Sequence, residues 1–139
     1  MKNYGKTNIV TGLFFIGFFM LYGFALIYMR DFYSGKEEWI ASSDMGTHFE
    51  ARLAHVHGNM FAFINIMIGY LLLKLPVAAG SAKWISYTGL LGMAMPLGIM
   101  AEFLFGLPYY LVLVGAISIV ISIFWLAIAL AKAKFPTKE

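Results

Sequence analysis

The chain contains no cysteine, and only 12% of its 139 residues are charged. Without cysteine it cannot form a disulfide, hold an iron–sulfur cluster or carry out thiol chemistry, which excludes a thiol oxidoreductase of the four-helix type. The few charges form no basic recognition surface, so we predict no nucleic-acid partner. Any bound metal must use histidine, carboxylate, methionine or tyrosine ligands.

Apolar residues are abundant instead: 61% of the chain is hydrophobic, and most of these residues fall into four long runs. Each run is close to the roughly 20 residues that an α-helix needs to cross a hydrocarbon layer of about 30 Å. We therefore predict one all-α domain over residues 1–139, an integral membrane four-transmembrane-helix bundle surrounded by membrane lipid. The predicted spans are residues 9–29, 54–75, 84–104 and 109–130.

The lysines indicate the orientation of the spans. In a four-span arrangement one side carries Lys2, Lys6, Lys74, Lys83, Lys132, Lys134 and Lys138. The other side has an acidic balance. Because positively charged segments remain in the cytoplasm, we predict cytoplasmic N- and C-termini and a location in the bacterial inner (plasma) membrane.

Histidine is confined to the start of the second run. The three histidines are His48, His55 and His57. On a helix that turns about 100° per residue, His55 shares a face with Asn59, Ala62 and Gly69, whereas His57 points about 160° away. The two imidazoles therefore cannot bind one metal ion unless the helix is broken between them. The small residues beside His55 predict a face with room for a flat macrocycle.

Three interpretations of this segment are open. The imidazoles cap the span at the membrane interface, or one of them is the axial ligand of haem b. Alternatively, they bind a non-haem metal or relay protons, with Glu50, Glu102 or Asp44 as the carboxylate partner. The amides of Asn59 and Asn65 form either interhelical hydrogen bonds or polar contacts in a substrate cavity. Glu102 is either an interfacial carboxylate or a pocket residue.

The stretch Ala51-Arg52-Leu53-Ala54-His55, followed by amide and small residues and an aliphatic run, resembles the styrene oxide isomerase family of small four-span bacterial membrane proteins. This resemblance implies that His55 binds haem b at a subunit boundary of a trimeric homo-oligomer. It also implies that ferric haem acts as a Lewis acid and converts a small hydrophobic epoxide into an aldehyde. We assign His57 and Arg52 to cofactor binding as well, and Asn59, Asn65 and Glu102 to catalysis.

The chain also departs from that family. Phe61 stands where the family has an asparagine, and the third run has no clear counterpart of the family's aspartate and tyrosine. His57 is an additional histidine that could replace His55 as the ligand. The alternative function is a non-catalytic haem b protein, namely an electron-transfer, sensory or accessory subunit of a membrane complex. A small multidrug transporter is disfavoured because the first run has no embedded carboxylate.

Overall fold

A computed structural model of the protein describes residues 3–134, and these residues contain helices and no strand. The helices are α1 (Tyr4–Asp31), α2 (Lys36–Ala41), α3 (Thr47–Lys74), α4 (Ala79–Leu91), α5 (Ala94–Phe105) and α6 (Tyr110–Lys132). Lys2 and Lys138, which contribute to the predicted orientation, lie outside the described residues.

Four helical segments are long and apolar enough to cross a membrane: α1, α3, the α4–α5 pair and α6. The all-α prediction and the four apolar helices are therefore confirmed. The segments differ in how far the bundle covers them. Only 11% of the apolar window of α1 is buried inside the bundle, compared with 33% for α3. Thus α1 is a peripheral helix and α3 is a central one.

The third apolar segment differs from the predicted continuous helix over residues 84–104. A break at Gly92 and Met93 separates α4 from α5. Its cause is local, because Pro96 has no N–H to donate to the carbonyl of Gly92 and its ring crowds that carbonyl. The Gly92 carbonyl instead accepts a hydrogen bond of 3.1 Å from the N–H of Met95. Helix α4 packs against α1, α3 and α6, whereas α5 packs against α3 and α6.

A short connection joins the last two apolar segments, between the end of α5 at Phe105 and the start of α6 at Tyr110. Helix α5 ends at Gly106, which adopts the left-handed conformation with a φ of 64°. Glycine adopts this conformation without the steric cost of a Cβ atom. Across the connection, Gly98 in the middle of α5 packs directly against the backbone of Val112 in α6. The absence of a side chain at Gly98 therefore lets the two helices approach closely.

A seam of small residues, repeated every seven positions, joins α1 to α3. Gly5 faces Gly69, and Gly12 faces Ala62. A Cβ atom added to Gly12 would lie 2.8 Å from the carbonyl oxygen of Ala62 and 2.7 Å from Cγ1 of Ile66. The two backbones are thus in direct contact. Because α1 fills this face of α3, the prediction that the face leaves room for a flat macrocycle is wrong.

We expect Gly12→Ala to destabilise the bundle and Gly17→Ala to leave its stability nearly unchanged. Overpacking of a close contact costs about 1–3 kcal/mol. A Cβ atom at Gly17, by contrast, would meet nothing within 4 Å. Both variants add one methyl group to the same helix, so the gain in helix propensity is matched. Equal unfolding midpoints for the two variants in mixed detergent micelles would contradict a close contact between α1 and α3 at Gly12.

Candidate functional site

The two central histidines lie well inside α3, not at its start. The helix begins at Thr47, so His55 is about 12 Å along the axis from the first residue at 1.5 Å per residue. Residues 47–53, which the predicted span omitted, are helical because the N–H of Glu50 donates to the carbonyl of Gly46 at 3.0 Å and so closes the first turn. Both imidazoles therefore project from a regular helix with defined directions.

His48 is separated from the other two histidines. Its ring stacks on Trp39 of α2 with centroids 4.7 Å apart, and its Nδ1 lies 3.1 Å from the carbonyl oxygen of Trp39. The hydroxyl of Ser42 donates to the same carbonyl at 2.8 Å and accepts from the backbone N–H of His48 at 3.3 Å. His48 thus holds the connection between α2 and α3 in place.

The imidazole of His55 faces α1 at Gly23. A Cβ atom at Gly23 would lie 2.7 Å from Cε1 of His55, 3.3 Å from Nε2 and 3.4 Å from Nδ1. The ring edge that carries both nitrogens therefore lies on the α1 backbone. The nearest polar group is Nδ2 of Asn59, which donates to the His55 carbonyl at 2.9 Å and lies 3.4 Å and 3.5 Å from the two ring nitrogens. This amide nitrogen is a donor, so no acceptor determines which ring nitrogen carries the proton.

Tyr22 is a site residue that the sequence analysis missed. Its ring centroid is 6.1 Å from that of His55, and its hydroxyl is buried without a hydrogen-bond partner among residues 3–134. A buried, unpaired hydroxyl is costly and therefore notable in a folded protein. The available sequence signal was a hydroxyl-bearing aromatic residue well inside an apolar run, away from the ends where interfacial tyrosines collect.

The imidazole of His57 lies on the other side of α3, as the helical spacing predicts. Its Nδ1 is 2.9 Å from the carbonyl oxygen of Leu53, and its ring meets Phe61 edge-on with centroids 6.1 Å apart. Because a carbonyl oxygen can only accept, this hydrogen bond places a proton on Nδ1, and in the neutral imidazole Nε2 then carries the lone pair. Within residues 3–134, the hydrogen bond that the His57 ring makes is the one at Nδ1. His57 therefore presents a ready donor atom.

Asn65 belongs to a buried polar network at the opposite end of the bundle. Nδ2 of Asn8 donates to its Oδ1 at 2.9 Å, and its own Nδ2 donates to the carbonyl of Gly89 at 2.9 Å. The hydroxyl of Ser86 donates to Oδ1 of Asn8. Asn8, Asn65 and Ser86 are fully buried. Of the two interpretations of Asn65, the structure has the interhelical hydrogen bond, which joins α1, α3 and α4.

The remaining candidates stay apart from the histidines. Arg52 and Glu102 are exposed, and Glu50 is half-buried. Within residues 3–134 the one ion pair joins Arg30 to Asp31 at 2.8 Å, so no carboxylate pairs with an imidazole there. The same residues contain no group of three histidine, aspartate or glutamate side chains that could hold a metal ion.

Comparisons with known protein families, with curated proteins and with solved structures find no match to this chain. The chemistry of the site therefore follows from its own donor atoms. A bare metal ion such as zinc takes three or four side-chain ligands. Haem iron needs one or two protein ligands, because the macrocycle supplies four nitrogens. A single imidazole with a free Nε2 in an apolar bundle fits the second case.

Proposed function

We propose that the protein is a multi-pass protein of the bacterial inner membrane that binds haem b through one histidine of α3. The donor set of α3 supports this proposal: His55 and His57 point in different directions, and residues 3–134 contain no group of three histidine, aspartate or glutamate side chains that could hold a bare metal ion. The family resemblance supports the same cofactor and assigns the ligand to His55. Arg52, exposed one turn before His55, is the cation that we assign to the haem carboxylates.

The proposed reaction is the isomerisation of a small hydrophobic epoxide to an aldehyde. Haem, when bound, would supply Lewis acidity toward the epoxide oxygen. The substrate breaks one C–O bond and shifts one substituent between adjacent carbons, so it needs no oxidant or reductant. Among the assigned catalytic residues, Asn59 lies beside His55, so it would orient the substrate oxygen at a haem on that side of α3. Asn65 is committed to the buried network, and Glu102 is exposed.

A non-catalytic haem b subunit is the second candidate function. An electron carrier commonly holds its haem between two axial ligands, whereas a Lewis-acid catalyst needs an open position on the iron. One haem cannot take both His55 and His57 from the same helix, so we propose that each haem takes a single histidine from α3 and keeps an open position for the substrate. We further propose a homo-oligomer, a trimer by the resemblance, since one small bundle offers little enclosure for a macrocycle.

The test of haem binding is an absorption spectrum of the protein purified in mild detergent from cells supplied with haem. We expect a Soret band in the wild type and its loss in the double variant His55→Ala/His57→Ala. The matched control is His48→Ala, which removes the histidine that stacks on Trp39 and should retain the band. A haem-supplied wild type without a Soret band would contradict the proposal.

A further inference from the structure

We infer, building on the proposed function, that His57 and not His55 is the axial ligand of the haem. The first reason is the position of the imidazole proton. A histidine that binds a metal through Nε2 characteristically donates its Nδ1–H to a carbonyl or carboxylate, which orients the ring and raises its basicity. His57 makes this hydrogen bond to the carbonyl of Leu53 at 2.9 Å. Its lone pair on Nε2 therefore has a fixed direction before any ligand binds.

His55 lacks this arrangement. Its nearest polar neighbour is the amide nitrogen of Asn59, at 3.4 Å and 3.5 Å from the ring nitrogens, and that nitrogen donates hydrogen bonds. The Asn59 amide nitrogen cannot accept a hydrogen bond from Nδ1–H of His55. As a donor, it would instead occupy the ring lone pair that a metal needs. Nothing in this contact prepares Nε2 of His55 for a metal.

The space around the two rings differs as well. An iron bound to a histidine would lie beyond Nε2, and the macrocycle around the iron would need free space there. At His55 this region adjoins the α1 backbone, because a Cβ atom at Gly23 would be only 3.3 Å from Nε2. Binding there requires α1 to move away from α3. The glycine seam that joins these helices opposes that movement.

His57 has apolar neighbours suited to a macrocycle. By helical spacing Leu53, Met60 and Phe61 lie within about 60° of His57 on the same side of α3. Met60 is 44% exposed, whereas Phe61, which meets the imidazole edge-on, is 5% exposed and belongs to the core of the bundle. A macrocycle on Nε2 of His57 would therefore lie on the Met60 side of the imidazole and leave the α1–α3 seam intact.

The test compares haem content in His55→Ala, His57→Ala and His57→Gly, each purified from haem-supplied cells, with the Soret absorbance per protein as the readout. We expect His57→Ala to lower haem content at least about tenfold and His55→Ala to retain the band. Free imidazole added to His57→Gly should restore the band, because it occupies the cavity left by the side chain. This rescue separates loss of a ligand from loss of the fold.

The alternative outcomes are distinct. Loss of the band in His55→Ala with retention in His57→Ala overturns the assignment but leaves haem binding in place. Retention in both single variants, with loss only in the double variant, also overturns it, because either imidazole would then suffice. Loss in His57→Gly without imidazole rescue counts against a ligand role. Absence of haem from the wild type contradicts the proposed function itself.

Discussion

Replacing Asn65 with leucine should destabilise the bundle by about 2–4 kcal/mol. The substitution removes both the acceptor for Nδ2 of Asn8 and the donor to the carbonyl of Gly89, each at 2.9 Å. An unsatisfied buried polar group costs about 1–3 kcal/mol, although single interhelical hydrogen bonds in membranes are often worth less. Leucine has the same side-chain branching and number of heavy atoms as asparagine, so it keeps the shape of the side chain but removes its hydrogen bonds. Reversible unfolding in mixed micelles measures it.

Asn59→Leu is the matched control for this prediction. The side chain of Asn59 is half-buried, and the hydrogen bonds it makes are to His55 of its own helix. We therefore expect a cost below about 1 kcal/mol, typical of a partly exposed site without tertiary partners. A double-mutant cycle between Asn8→Leu and Asn65→Leu should give a coupling of at least about 0.5 kcal/mol. Additive effects, or equal costs at positions 59 and 65, would contradict the interhelical role.

Labelling of single cysteines should show an all-or-none difference between the two ends of the bundle. We expect an impermeant thiol reagent to label Ser34→Cys in intact cells and to label Lys134→Cys only after permeabilisation. Both positions are exposed, and the chain has no cysteine of its own. We expect this pattern because positively charged segments are retained in the cytoplasm, and the lysines lie on the Lys134 side of the predicted spans. The reverse labelling pattern would show that the proposed orientation is inverted.

Some features of the fold could be predicted because they depend on the chain alone. The four apolar runs predict four long helices, because a helix forms all of its backbone hydrogen bonds internally and so can lie in an apolar environment. The break between α4 and α5 was also predictable, because Pro96 stands four residues after Gly92 and cannot donate to its carbonyl. We predicted one continuous helix over residues 84–104 because the run is hydrophobic throughout, and hydropathy contains no information on whether a residue can donate a backbone hydrogen bond.

Other features depend on which helix lies opposite. Gly12 and Gly17 are equivalent in the sequence, both glycines in the same apolar run, yet Gly12 contacts Ala62 while a Cβ at Gly17 meets open space. Asn65 left two interpretations open because its partner Asn8 lies 57 residues away. The contacts of Gly12 and Asn65 therefore depend on how the helices pack, which residue type and spacing do not predict.

The two central histidines show the same difference between what the chain predicts and what helix packing adds. The spacing of His55 and His57 predicts side chains about 160° apart, because helix geometry sets the angle between side chains two residues apart. The cover of α1 over the nitrogen-bearing edge of His55 at Gly23, and the hydrogen bond from Nδ1 of His57 to the carbonyl of Leu53, became known from the packed helices. Intrinsic helix geometry fixes relative directions along one helix, whereas the neighbour that occupies each direction depends on how separate helices pack.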